Sequence, residues 1–267
     1  MSKKPVGHKA RKRFGQNFLQ DQGIIRRIIR SIAPNENHHM VEIGPGLGAL
    51  TEELLENCGR LDVVELDRDL IPVLRTKFFN FSDKFEIHEG DALKFDFATL
   101  HDGAKPLRVV GNLPYNISTP LIFHLLTYAQ QIEDMHFMLQ KEVVDRLAAQ
   151  PGDSAYGRLG IMAQYYCQIE PLFLVPPYAF DPAPKVDSAI VRLVPYKELP
   201  LKAKDIKKLE TVVRTAFGQR RKTLRNNLKP LISGDEISAL NIDPGLRPER
   251  LSLADFVSIS DYLSNAE

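Results

Sequence analysis

The stretch "VEIGPGLGALT", residues 41–51, runs from β-branched residues into a loop holding Gly44, Gly46 and Gly48, and then into helix-forming residues. Val41 and Ile43 favour extended backbone, while the glycines let main chain approach a ligand closely. The helix that follows presents unsatisfied N–H groups and the positive end of its dipole to whatever the loop holds. The next strand pattern, "RLDVVELD", carries Glu65, which follows Gly44 by 21 residues. That spacing suits a carboxylate accepting hydrogen bonds from a ribose diol. Gly44-x-Gly46-x-x-Ala49 also fits a dinucleotide loop loosely, so the loop alone leaves NAD and other nucleoside cofactors open.

Outward from this loop the pattern alternates. "HHMVEIG", "RLDVVELD", "KFEIHEGD", "LRVVGN" and "DMHFMLQ" read as strands, and "ALTEELLENC", "LIPVLRTKF" and "STPLIFHLLTYA" as helices. Pro72 fits near the start of its helix, and Ser118 is expected to N-cap the last. Such alternation predicts an α/β fold with a doubly wound, mostly parallel sheet. Ligands in these folds collect at the carboxyl ends of the strands, where Gly44, Glu65, Asp91 and Asn112 fall. "KEVVDRLAAQPGDSAYG" reads as an amphipathic helix followed by a turn. After "VDSAIVRLVP" the remainder reads as short helices, so residues 1–197 are expected to form the catalytic domain and residues 198–267 a small helical one.

Composition narrows the class. Of the 267 residues, 43% are hydrophobic and 26% charged, which is ordinary for a globular protein. No apolar run approaches the length of a membrane span, and the basic N-terminus lacks a signal-peptide core, so a cytoplasmic protein is expected. Cys58 and Cys167 have no CxxC spacing and His38-His39 no matching ligands, so neither a disulfide framework nor a metal site is expected. The net charge of +1 conceals two acid-free basic stretches. One is an N-terminal arm containing Lys12 and Arg13; the other carries Arg214, Arg220, Arg221, Lys222, Arg225 and Lys229. Together they point to a polyanion partner.

Two further segments tilt the cofactor towards S-adenosylmethionine. In "EGDAL", Asp91 can accept from an adenine amino group while Ala92 offers a backbone N–H to a ring nitrogen. In "VVGNLPYNIS", the Asn112 amide and the Leu113 carbonyl, held by Pro114, can both accept from one amino group, and Tyr115 can stack on the base that carries it. The exocyclic amine of adenine is a poor nucleophile because its lone pair is delocalised into the ring. Two acceptors outside the base plane favour a pyramidal nitrogen and turn the lone pair towards a sulfonium methyl. Catalysis then comes from positioning and charge stabilisation rather than from a strong base.

Taken in order, "FGQNFL", "EIGPGLGALT", "VELD", "GDAL", "NLPYNIS" and "FDPAPKVDSAIVRL" resemble the motifs of the small-subunit ribosomal RNA adenine dimethyltransferases, the KsgA family. The likeness runs over nearly the whole chain. The erythromycin-resistance rRNA methyltransferases share the first part, but "FDPAPKVDS" and "FGQRRKTL" look more like the KsgA side. The resemblance implies a Rossmann-like S-adenosylmethionine-dependent methyltransferase sheet with a C-terminal helical domain that binds rRNA. It implies cofactor contacts at Asn17, Leu19, Gly44, Gly46, Glu65, Asp91, Ala92 and Asn112, and a target-adenine site of Asn112, Leu113, Pro114 and Tyr115 with Phe180 as a second aromatic wall. It also implies transfer of four methyl groups to two adjacent adenosines in a hairpin loop near the 3′ end of 16S rRNA, within an immature 30S subunit, and so a role in subunit biogenesis. A loop offers unstacked bases to such a pocket. Lys12, Arg13, Arg220, Arg221, Lys222 and Arg225 are expected to hold rRNA phosphates, and a monomer suffices for so large a substrate. A DNA adenine methyltransferase and a non-catalytic assembly factor are the rival classes, the first because a related Asn/Asp-Pro-Pro-Tyr tetrad serves the same chemistry.

Overall fold

The computed structural model of the chain describes residues 16–265. Phe18–Leu19 form a short strand, β1, followed by helix α1 at Gln22–Ile32. Asp21 caps α1 by accepting from the Ile24 N–H at 2.9 Å. Ile25, Ile28, Ile29 and Ile32 recur at the spacing that gathers them on one buried face. Then come β2 (His39–Ile43), α2 (Ala49–Asn57), β3 (Arg60–Glu65), α3 (Leu70–Lys77), β4 (Phe85–Glu89), β5 (Leu107–Asn112), α4 (Ser118–Leu126) and β6 (Ile132–Gln140). The expected alternation is therefore present throughout this stretch. Helices α5 (Lys141–Ala148) and α6 (Arg158–Tyr166) lead to β7 (Cys167–Val175), β8 (Phe180–Asp181) and β9 (Ser188–Pro195). The chain continues through α7 (Ile206–Ala216), α8 (Leu224–Leu228), α9 (Gly234–Ala239) and α10 (Leu253–Asn265).

Seven strands make one sheet in the order β4-β3-β2-β5-β6-β9-β7. From β4 to β6 the strands are parallel, and β9 lies antiparallel to β6. The order reverses between β2 and β5, the switch point at which doubly wound sheets open a crevice. Val41, Val63, Val109 and Val110 are fully buried, as central strands covered on both faces require. Pro72 is the third residue of α3, as expected. Ser118 does not cap α4: it is the first helical residue, and its hydroxyl donates to the Tyr115 carbonyl at 3.2 Å. β1 and β8 form a separate antiparallel pair that sets Phe18 opposite Asp181 and Leu19 opposite Phe180.

Chain contacts divide the described residues into two compact units, 16–144 with Glu170–Pro195, and Asp145–Ile169 with 196–265. The expected division was a single one at 197/198, whereas the second unit combines residues 196–265 with Asp145–Ile169, a segment expected in the catalytic domain. Tyr156, Ile161 and Tyr165 share a core with Leu209, Val212, Val213 and Phe256, and the Tyr156 hydroxyl donates to the Leu251 carbonyl at 2.8 Å. Cys58 and Cys167 are free and buried, and burial pushes their thiols up to about 11 and about 12, which leaves them inert. Among the described residues no helix is long and apolar enough to cross a membrane.

Candidate active site

A cavity opens at the carboxyl ends of β2, β3, β4 and β5, within the first unit. Its floor is the glycine loop, with Gly44, Gly46 and Gly48 all at positive φ. Gly48 sits at φ 82° before α2, where a Cβ would also lie 2.6 Å from the Phe78 ring. A Cβ on Gly44 would meet no atom within 4 Å, so open space lies beside its backbone. At the end of β3, Glu65 accepts from the Asp67 N–H at 2.7 Å and from the Gly46 N–H at 3.4 Å. Burial raises its carboxyl above the usual range, and these N–H groups check part of the rise. Asp91, two residues past β4, accepts from the Leu93 N–H at 3.0 Å and lines the cavity with Ala92.

On the opposite side, β5 ends at Asn112. Its Nδ2 donates to the Asn17 carbonyl at 3.0 Å, which joins "FGQNFL" to "NLPY" and leaves Oδ1 turned to accept. The Leu113 N–H donates to the Met138 carbonyl at 3.2 Å, while the Leu113 carbonyl accepts no hydrogen bond among the described residues. Pro114 and Tyr115 line the cavity, and the Tyr115 hydroxyl lies 3.3 Å from Ser188 Oγ, the last residue of the "FDPAPKVDS" block. Asn17 and Leu19 line it as well. Phe180 does not: its ring is 6% exposed in the core beside Leu19, because pairing of β8 with β1 turns it inward. Arg220, Arg221 and Lys222 are exposed at the turn between α7 and α8, and Arg225 is exposed on the first turn of α8. Asn227 holds that turn, its Nδ2 donating to the carbonyls of Ala216 at 2.7 Å and Gln219 at 3.1 Å. Lys12 and Arg13 lie outside the described residues.

Sequence reasoning missed Glu42. It lines the cavity from β2, is 2% exposed, and accepts from the Thr51 hydroxyl at 2.6 Å. Burial pushes its carboxyl up to about 7 against that hydrogen bond. The available signal was an acid flanked by Val41 and Ile43 in a strand buried along its whole length. With Glu65 and Asp91 it completes a lining that holds three carboxylates and, among the described residues, no Lys, Arg or His. His39 is buried at the start of β2. Asp62 accepts from His39 at 2.6 Å, His88 at 2.7 Å and Arg60 at 2.9 Å. Arg60 also bridges to Glu86 at 3.1 Å, so a guanidinium spans the one group, Asp62, Glu86 and His88, close enough together among the described residues to hold a cation.

With this strand order, and a strand-end pocket lined by acids rather than by phosphate-binding cations, the fold is that of the S-adenosylmethionine-dependent methyltransferases. The chain belongs to the ribosomal RNA adenine dimethylase family, whose model matches residues 7–265. It is 66% identical to the ribosomal RNA small subunit methyltransferase A of Hahella chejuensis, over 97% of this chain and 94% of the relative. Two solved structures share the fold. A dimethyladenosine transferase from Plasmodium falciparum gives a TM-score of 0.76 at 27% identity, covering 90% of this chain and 95% of its own. The 23S rRNA methyltransferase ErmE gives 0.73 at 25%, covering 93% and 100%.

Proposed function

We propose that this chain dimethylates two adjacent adenosines in the hairpin loop near the 3′ end of small-subunit rRNA, drawing four methyl groups from S-adenosylmethionine. The 66% identity to a small-subunit methyltransferase supports the choice of subunit, since the fold is shared with a large-subunit enzyme. The lining fits the cofactor chemically: acceptors at Glu65 and Asp91 suit ribose hydroxyls and an adenine amine, and the open space beside Gly44 admits a ligand close to the backbone. When bound, that cofactor supplies an electrophilic methyl on a sulfonium.

The observation that carries the reading is the bond from Asn112 Nδ2 to the Asn17 carbonyl. It fixes the amide so that Oδ1 and the Leu113 carbonyl form a pair of acceptors for one amino group. Neither is a strong base, so they stabilise positive charge developing on the nitrogen and leave the proton to solvent. Tyr115 lies next to this pair and offers a face for the base. The exposed Arg220, Arg221, Lys222 and Arg225 suit rRNA phosphates, as Lys12 and Arg13 do from the arm.

Asn112→Ala removes one acceptor, and turnover on unmethylated small subunits is expected to fall about a hundredfold or more. Its unfolding free energy should stay within about 1 kcal/mol of wild type, because only the bond to Asn17 is lost. A folded variant with full activity would contradict the mechanism.

A further inference from the structure

Given the S-adenosylmethionine reading, Glu65 and Asp91 face neutral groups, ribose and adenine. The rest of that molecule is a sulfonium joined to an amino-acid end, which gives it a net positive charge. Glu42 is the remaining carboxyl group among the described residues of the lining. We propose that Glu42 is a charge-matching residue, carrying a proton in the empty and product-bound site and releasing it when the sulfonium cofactor binds.

The surroundings of Glu42 explain why its charge waits for a ligand. In the sheet it is flanked by Val63 on β3 and Val110 on β5, both fully buried and apolar. From α2 the Thr51 hydroxyl donates to it, with the Cys58 thiol beyond the end of that helix. From β3 the nearby charge is Glu65, which is repulsive, and from α3 it is Lys77. The Lys77 ammonium is partly exposed and already paired with Glu52 at 3.1 Å. An isolated carboxylate buried this way is costly, and a ligand bringing net positive charge removes the cost. The raised carboxyl of Glu42 agrees with the geometry.

The proton count closes over a turnover. On cofactor binding, the Glu42 carboxylic acid loses its proton to solvent. Methyl transfer breaks the S–CH3 bond and forms N–CH3; the sulfur keeps the electron pair as a neutral thioether, and the adenine nitrogen sheds a proton to water. Glu42 then takes a proton back and no longer favours the ligand. The site is thereby tuned to hold S-adenosylmethionine more tightly than S-adenosylhomocysteine.

The test is calorimetric binding of both compounds to the full chain, in buffers of different ionisation enthalpy at about pH 6, below the titration of the empty site. Wild type is expected to release about one proton with S-adenosylmethionine and none with S-adenosylhomocysteine. Glu42→Gln keeps a partner for Thr51 and mimics the neutral acid; it should release none with either, and its preference for S-adenosylmethionine should fall about tenfold. Proton-neutral binding of S-adenosylmethionine by wild type would overturn the proposal, as would an unchanged preference in the variant. Wild type that bound neither compound would overturn the cofactor reading, and this inference with it.

Discussion

At Gly111 a side chain is missing because of distance. The residue precedes Asn112 on β5, and a Cβ there would lie 2.7 Å from the Ile43 carbonyl of β2 and 3.1 Å from a Leu113 methyl. Ile43 is fixed by the ladder, so the added methyl must push β5 and carry Asn112 with it. Gly111→Ala is therefore expected to cost roughly 1–3 kcal/mol in denaturant unfolding. It should also lower turnover more than cofactor affinity, because Glu65 ends β3 and Asp91 follows β4, both away from β5; unaltered stability and turnover would show that the strands have slack. The proposed acceptor pair at Asn112 and Leu113 can be read from the sequence because amide, carbonyl and proline are neighbours, and the structure sets both residues on the cavity lining. The place of Phe180 cannot, since its inward turn follows from pairing with Leu19, far away in the chain and in strands too short to show alternation. Glu42 was passed over because a lone acid in a strand shows neither a partner nor a cavity.

Among the elements, β6 carries polar residues in a place built for apolar ones. Asp134 is buried on it and takes a two-pronged bond from Arg108 of β5, at 2.8 and 2.9 Å. Arg108 also donates to the Ile32 carbonyl at 2.8 Å, tying the end of α1 to the sheet. His136, two residues along, is 3% exposed, and neither ring nitrogen makes a hydrogen bond among the described residues. Burial lowers its pKa from 6.5 to about 4, against the pull of Asp134. The unfolded chain therefore binds the extra proton first as pH falls. Stability from His136 is complete above about pH 6.5 and is lost towards about pH 4, by up to about 3 kcal/mol. Denaturant unfolding across that window should show this loss in wild type and a shallower one in His136→Leu; identical slopes would mean that His136 does not titrate there. The parallel strands β2 to β6 were legible from their apolar runs, whereas β7 was not read as a strand. The polar pairs across them were not legible, because register is a property of two strands and the sequence displays one at a time.

For the whole molecule, the sequence motifs are separate in the chain and meet in one place. "FGQNFL" touches "NLPY" through Asn17 and Asn112, the glycine loop touches "VELD" through Gly46 and Glu65, and "FDPAPKVDS" meets Tyr115 through Ser188. The helical unit was legible in outline from the change of pattern after β9. The return of Asp145–Ile169 to it was not, because that choice depends on which core Ile161 and Tyr165 join. On the proposed reading the pocket takes an amino group on a flat base, and the likeness to a small-subunit methyltransferase supports which RNA carries it. Mass mapping of methylated nucleosides in small subunits that lack these modifications, after incubation with the chain and S-adenosylmethionine, tests that joint claim most directly. The expected result is two adjacent dimethyladenosines in the loop near the 3′ end of the small-subunit rRNA. Methyl groups at other nucleotides, or an rRNA left unmodified by folded, cofactor-binding protein, would contradict it.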